Sequence, residues 1–325
     1  MNSSDQSRPR SLAEWHPGEV ALQTTFGSLE RLAPHAGDIL QPRLSEQIRN
    51  FFPRLPFVVL GFVDEASRPW GTILAGKAGF AWSPDPALLQ IDHLPPAGDL
   101  FDAALKTGAS IGVLGIELST RRRNRVNGVI ASCGATGFSI EVQQAYGNCP
   151  QYIQQRLHTE SSSLQSQVIS EPFTGLDDAA ARDLIGKTDT LFVSTFAPGP
   201  DGRPAMDMSH RGGRPGFVKV ASDGCLTIPD FSGNKFFNTL GNILLTGRAG
   251  LVIPSFETGD LLVLTGDASI ELDEEGYAEA AQFPGAERLW RVRPSKGFWL
   301  RGALPIEFQF RAWSQNTLGT GVWPE

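Results

Sequence analysis

The sequence predicts a mainly β protein with short helices, α+β in class, folded as two tandem closed β-barrels behind an N-terminal extension. Three observations carry this. Short apolar runs separated by Gly and Pro turns recur along the chain, as barrel-forming strands require. Long helical periodicity is scarce, with one short helical stretch in each half. The order of these features also repeats from one half to the other.

Residues 1–50 read as the extension, polar at the start and then helical patterning broken by Pro and Gly. "LPFVVLGFVD" (Leu55 to Asp64) is a buried-strand text closed by a turn, and "TDTLFVSTFAPGPDG" (Thr188 to Gly202) is another. Each is followed by Arg-Pro, at Arg68-Pro69 and Arg203-Pro204. "RPWGTILAGKAGF" then matches "RPAMDMSHRGGRPGF", and each leads through a turn into a further strand. "GDLFDAAL" (Gly98 to Leu105) matches "GNKFFNTL" (Gly233 to Leu240), with Gly, Phe and Leu at the same spacing. The apolar runs "ASIGVLGIEL" and "AGLVIPSF" come next. The expected units are a first copy over 51–160, a polar Ser-rich linker over 161–179 and a second copy over 180–325.

Composition narrows the function. With 41% hydrophobic and 19% charged residues the chain is an ordinary globular protein. A net charge of -7 argues against broad binding of nucleic acid or anionic membrane, which need a positive field. No apolar leader and no run of about 18 apolar residues is present, so a cytoplasmic location is expected. Cys133, Cys149 and Cys225 lie far apart and the five histidines form no ligand-spaced cluster, so no metal site is expected.

The second copy carries the chemistry. If Gly233-Asn234-Lys235 and Gly98-Asp99-Leu100 sit at equivalent helix mouths, only the second copy suits an anion. The first N–H groups of a helix lack intrahelical partners and collect phosphate oxygens. Ser232 can cap the helix or donate to phosphate, Gly233 allows close approach, Lys235 adds charge, and Asn238 follows Asn234 by one turn. Upstream, "MDMSHRGGRPGF" (Met206 to Phe217) holds Ser209, His210, Arg211 and Arg214, more polar equipment than a hairpin needs. The acidic "ELDEEGY" reads as a solvated turn, and no catalytic base is nominated.

The strand, "DFSGNK" helix and "NILLTGRAGLVIP" strand resemble the FMN-binding split barrel of the pyridoxamine 5'-phosphate oxidase superfamily. More narrowly, "WHPGE", "RRRNRVNG", "YGNCPQYIQQR" and "DMSHRGGRPGF" are similar to a bacterial subgroup that can be fused to a ferredoxin-reductase-like module. The resemblance spans roughly residues 14 to 311. It implies FMN, with the lysine of the family's S-x-K phosphate motif at Lys235 and Ser232 beside the place of its serine. Where the family offers Arg and Lys from the preceding strand, this chain has Ala205 and His210, so Arg203, His210 or Arg211 are the expected substitutes. Arg123, Arg125 and Asn127 match a strand that reaches the flavin, placing FMN between the two copies or between two subunits. Pro229 and Asp230 fall where ring contacts are expected. A phosphate neighbour would favour the charged form of His210.

The expected activity is an FMN-dependent oxidoreductase acting on an unidentified small molecule, with electrons from reduced nicotinamide or a separate flavin- or ferredoxin-type reductase, the chain being a monomer or homodimer. The alternatives are a non-enzymatic flavin- or haem-type binding protein and a true pyridoxamine 5'-phosphate oxidase. The C-terminal "FWLRGALPIEFQFRAWSQNTLG" lacks the Arg and His pattern of the last.

Overall fold

The computed structural model describes residues 14–159 and 168–324. The helices are α1 (Pro17–Thr25), α2 (Leu29–Leu32), α3 (Ala36–Ile39), α4 (Glu46–Arg49), α5 (Leu100–Ala104), α6 (Ala179–Lys187), α7 (Asn238–Thr246), α8 (Glu274–Ala280) and α9 (Gln315–Leu318). The strands of the first half are β1 (Phe57–Val63), β2 (Pro69–Ala75), β3 (Ala81–Trp82), β4 (Leu88–Ile91), β5 (Ser110–Glu117), β6 (Arg122–Cys133), β7 (Phe138–Asn148) and β8 (Gln155–Thr159). Those of the second are β9 (Ile169–Pro172), β10 (Thr190–Pro198), β11 (Pro204–Gly212), β12 (Lys219–Val220), β13 (Leu226–Phe231), β14 (Arg248–Pro254), β15 (Leu261–Glu271), β16 (Ala286–Arg301) and β17 (Glu307–Ala312). No helix among the described residues is long and apolar enough to cross a membrane.

One sheet runs β2-β1-β5-β6-β7-β4-β3 and the other β11-β10-β14-β15-β16-β13-β12, the same order strand for strand. Neighbouring strands are antiparallel throughout. The two Arg-Pro hairpins close alike. Asp64 accepts from the backbone and Nε of Arg68 at 2.9 and 2.7 Å, and Asp201 from those of Arg203 at 3.1 and 2.7 Å. A turn carboxylate that takes up local N–H groups is what makes these short loops stable.

The sheets pack through corresponding glycines. A Cβ on Gly112 of β5 would stand 3.0 Å from the Asp207 backbone, and one on Gly250 of β14 would stand 2.4 Å from the Pro69 carbonyl. The absence of side chains lets each β5-type strand lie against the opposite β2-type strand. The cores merge as a result: Met208, Val252, Leu261, Val263 and Leu300 share one buried cluster with Val58, Leu60, Ile73 and Leu114.

Two expectations are corrected. The helix of the second half starts at Asn238, with Phe237 as its N-cap, so Ser232, Gly233, Asn234 and Lys235 lie in the loop before it. Asn234 spends its side-chain oxygen on that loop, accepting from Phe236 N at 3.1 Å, and Lys235 and Phe237 adopt left-handed backbones that a helix cannot continue. The stretch expected as linker, of which 161–167 lie outside the described residues, contains β9, which pairs with β16. Likewise β8 pairs with β17 at the far end of the chain.

The ladders define which residues correspond. Val59 faces Ile73 and Leu114, and Phe192 faces His210 and Val252. One strand further, Leu114 faces Arg125 and Val252 faces Val263.

Candidate functional site

Strand β11 sets the site through its two-residue alternation. Asp207, Ser209 and Arg211 share one face of it. Arg125, on β6 of the first half, reaches across to them. Its Nη1 donates to Asp207 Oδ1 at 3.1 Å, to Asn238 Oδ1 at 2.8 Å and to Tyr146 Oη at 3.2 Å, and its Nη2 donates to Ser209 Oγ. Ser209 donates onward to Asp207 at 2.8 Å and accepts from Thr239 at 2.7 Å. Burial works against the charge on Arg125, but Asp207 and Tyr146 outweigh it and hold the guanidinium above its ordinary value. Burial, then Asp207, pushes the Tyr146 phenol up, so it stays a neutral donor to Asp207.

In front of this network lies a cleft, open to solvent and lined from both halves of the chain. Its walls hold Arg123, Arg125, Arg211, Lys235 and Arg288 against Asp230 and Glu287, five cations to two carboxylates and so a balance of +3 at the walls, or +2 once Asp207 behind Arg125 is counted. Asp230 accepts from Arg211 at 2.7 Å and from Arg288, and Glu287 accepts from Arg288 at 2.8 Å and from Lys235. Arg123 has no carboxylate partner among the described residues. It donates to the Cys149 carbonyl at 2.8 Å and to the His210 carbonyl and Nδ1 at 3.3 and 3.1 Å. Burial, Arg125 and Arg211 push its guanidinium down to about 9, which leaves it charged at neutral pH.

His210 is corrected. It lies on the other face of β11, 4% exposed, with its ring edge-on to Phe192 at 5.8 Å. Burial first, then Arg123, Arg211 and Arg156, hold its imidazole well below the usual range, so it is neutral rather than cationic. Arg123 can only donate, so Nδ1 accepts and the ring proton sits on Nε2.

Of the residues singled out in the sequence, Arg123, Arg125, His210, Arg211, Pro229, Asp230, Ser232, Asn234, Lys235 and Asn238 line the cleft. Ser209 stands behind it in the Arg125 network. Arg214 turns away and donates to the Leu318 carbonyl at 2.7 Å, and Arg203 closes its own hairpin. The sequence reading missed Tyr152, which stacks on Phe231 at 5.0 Å, and Glu287 and Arg288. Arg288 faces Asp230 across the β13–β16 ladder. That pairing joins residues far apart in sequence and leaves no local signal.

The corresponding place in the first half is apolar. Asp207, His210 and Arg211 correspond to Trp70, Ile73 and Leu74; Arg123 and Arg125 correspond to Leu261 and Val263. All five apolar residues belong to the shared core. Tyr146 corresponds to Phe298, and the Tyr146–Asp207 hydrogen bond is replaced by a Trp70–Phe298 ring contact at 5.7 Å. The helix mouths correspond differently from the expected alignment. Thr72 donates to Asp99 at 2.6 Å where Ser209 meets Thr239, so Asp99 matches the start of α7 rather than Asn234.

No protein-family model matches the chain, and no curated protein matches it. Solved structures do. HutZ, the heme storage protein from Vibrio cholerae, is 15% identical over 38% of this chain and 94% of its own, with a TM-score of 0.27. The FAD-binding protein from Mycobacterium smegmatis is 15% identical over 40% and 99%, with a TM-score of 0.28. A Clostridium acetobutylicum protein related to general stress protein 26, of the pyridoxinephosphate oxidase family, is 12% identical over 40% and 92%, with a TM-score of 0.26.

Proposed function

We propose that the chain is a tandem duplication of a split barrel that binds one FMN in the cleft between its two copies and acts as an oxidoreductase on a small molecule. The observation that carries this is the charge contrast between corresponding places, with a balance of +3 at the cleft walls on one side and apolar core on the other. Five basic side chains gathered at one partly buried place call for an anion. Arg123, free of any carboxylate among the described residues, fits a phosphate oxygen. Arg211 Nε is buried and has no partner among the described residues. The N-terminus of α7 borders the same cleft. The stacked Tyr152 and Phe231 give a flat apolar wall of the kind an aromatic ring system needs.

When bound, FMN supplies the electron transfer. The chain's own contribution is to hold the anion, keep Arg125 fixed through Asp207 and Asn238, and present fixed positive charge where negative charge develops.

Titration with FMN and with riboflavin, which lacks the phosphate, tests the reading. FMN is expected to bind at least about tenfold more tightly, the equivalent of one charge-assisted hydrogen bond. Equal affinity would remove the phosphate assignment, and no binding of either would remove the cofactor. Oxidation of reduced nicotinamide by the FMN-loaded protein above the rate of free FMN is expected; its absence with every reductant supplied would leave a binding protein.

A further inference from the structure

The "WHPGE" segment of the N-terminal extension lies outside the cleft, yet each of its five residues has a defined structural task. His16 caps α1 and forms a reciprocal capping box with Glu19: Glu19 N donates to His16 Nδ1 at 3.3 Å, and His16 N donates to the Glu19 carboxylate at 2.8 Å. Pro17 opens the helix. Gly18 lies against Gly241 of α7 so closely that a Cβ on it would stand 2.1 Å from the Gly241 carbonyl oxygen. Trp15 packs on Phe236 with ring centroids 5.1 Å apart. Glu19 accepts from Asn238, whose other amide atom accepts from Arg125.

The rest of the extension holds the same loop. Gln23 donates to the Phe236 carbonyl at 3.1 Å and Ser28 to the Lys235 carbonyl at 3.4 Å. Phe26 packs on Phe237 at 5.4 Å and lies 4.1 Å beneath the Arg288 guanidinium. Residues 235 to 238 are thus each touched from the extension. Lys235 and Phe237 both have φ of 63°, and such strained backbones persist only where surroundings impose them. The corresponding helix α5 needs no such support: its N-cap Asp99 is extended at φ -69° and accepts from Phe101 N itself.

We propose that α1 is the positioning element of the anion cleft, its docking on α7 holding the 232–237 loop and Asn238 in the geometry that presents Lys235 and Arg125. This rests on the cleft being the ligand site. Because the docked loop is the binding-competent form, ligand occupancy and α1 docking favour each other. Glu19 acts through Asn238 and is a positioning residue.

The test uses the full chain and two readouts, amide hydrogen exchange without ligand and FMN affinity. Gly18→Leu, which cannot dock, is expected to speed exchange at residues 235 to 239 about tenfold while the β5 and β14 amides stay unchanged, and to weaken FMN about tenfold. Glu19→Ala is expected to do the same more mildly, and Glu19→Gln, which keeps an oxygen for Asn238 but loses the one that accepts from His16 N, to restore both in part. Unchanged exchange at 235 to 239 in Gly18→Leu and Glu19→Ala overturns the proposal, as does equal FMN affinity of Glu19→Ala and Glu19→Gln. Should the wild-type chain bind no FMN, the cofactor reading fails and the exchange comparison still decides the role of α1.

Discussion

Asp207 occupies in the second sheet the position that Trp70 occupies in the first, and the two meet corresponding partners by opposite means. Trp70 packs on Phe298, whereas Asp207 accepts from Tyr146 and Arg125. One framework therefore carries an apolar contact on one side and a buried ion pair on the other, and the cost of the second is its desolvation.

That cost makes a prediction. Arg125→Leu leaves Asp207 buried at 3% exposure without its cation and is expected to lower stability by about 3–5 kcal/mol in chemical unfolding. Adding Asp207→Leu, which brings both positions closer to Val263 and Trp70, is expected to recover most of the loss. A double variant no more stable than the single one would show that the pair does not act as a unit.

Arg123 and Glu287 are expected to act with opposite sign on anion affinity. Arg123→Leu copies the corresponding Leu261 and removes the cation without a carboxylate, so FMN affinity falls about 10- to 100-fold, the worth of a charged hydrogen bond. Glu287→Gln removes a carboxylate that neutralises Lys235 and Arg288, so affinity rises. Equilibrium titration of the three proteins decides it, and a fall in both variants would mean that Glu287 itself contacts the ligand.

His210 gives the acid side of the stability profile. Its folded value lies well below the ordinary one, so below about pH 6.5 the unfolded chain binds a proton that the folded chain does not. Stability from this group is fully present above that pH and is lost as pH falls, by up to about 1.4 kcal/mol per unit. Denaturant midpoints at pH 7.5 and 5.5 are expected to differ more for the wild type than for His210→Asn. Identical differences would place the acid sensitivity elsewhere.

Asp99 has the reverse sign. Burial raises its carboxyl to about 6, against the hydrogen bonds from Thr72 and Phe101 N. Between about pH 4 and 6 the folded state therefore keeps a proton that the unfolded state has lost, and stability falls as pH rises through this window. Asp99→Asn, whose oxygen can accept from Phe101 N while its NH2 donates to the Thr72 hydroxyl, is expected to be more stable than the wild type at pH 8, and to lose that advantage at pH 4. Thermal melts at the two pH values test this, and an equal offset at both would argue against a buried charge.

The sequence by itself determined the kind of fold and where charge would collect. Short apolar runs, the two Arg-Pro turns and the repeated motif order are local signals, because strands and turns are set by neighbouring residues. Lys235 could be picked out against Leu100 of the first copy, whereas Arg123 and Arg125 were reached through the resemblance to a strand that contacts the flavin. Only the tertiary structure decided how they are used. Lys235 looked like the residue at a helix mouth, but the loop turns left-handed at Lys235 and Phe237 and the helix starts at Asn238. Glu287 and Arg288 meet Lys235 and Asp230 across a ladder linking distant parts of the chain. His210 looked titratable near neutrality and is held neutral by burial and three arginines. The physical reason is common to all of these: propensity and pattern act over a few residues, whereas desolvation, ion pairing and loop strain depend on what the fold brings within a few ångströms.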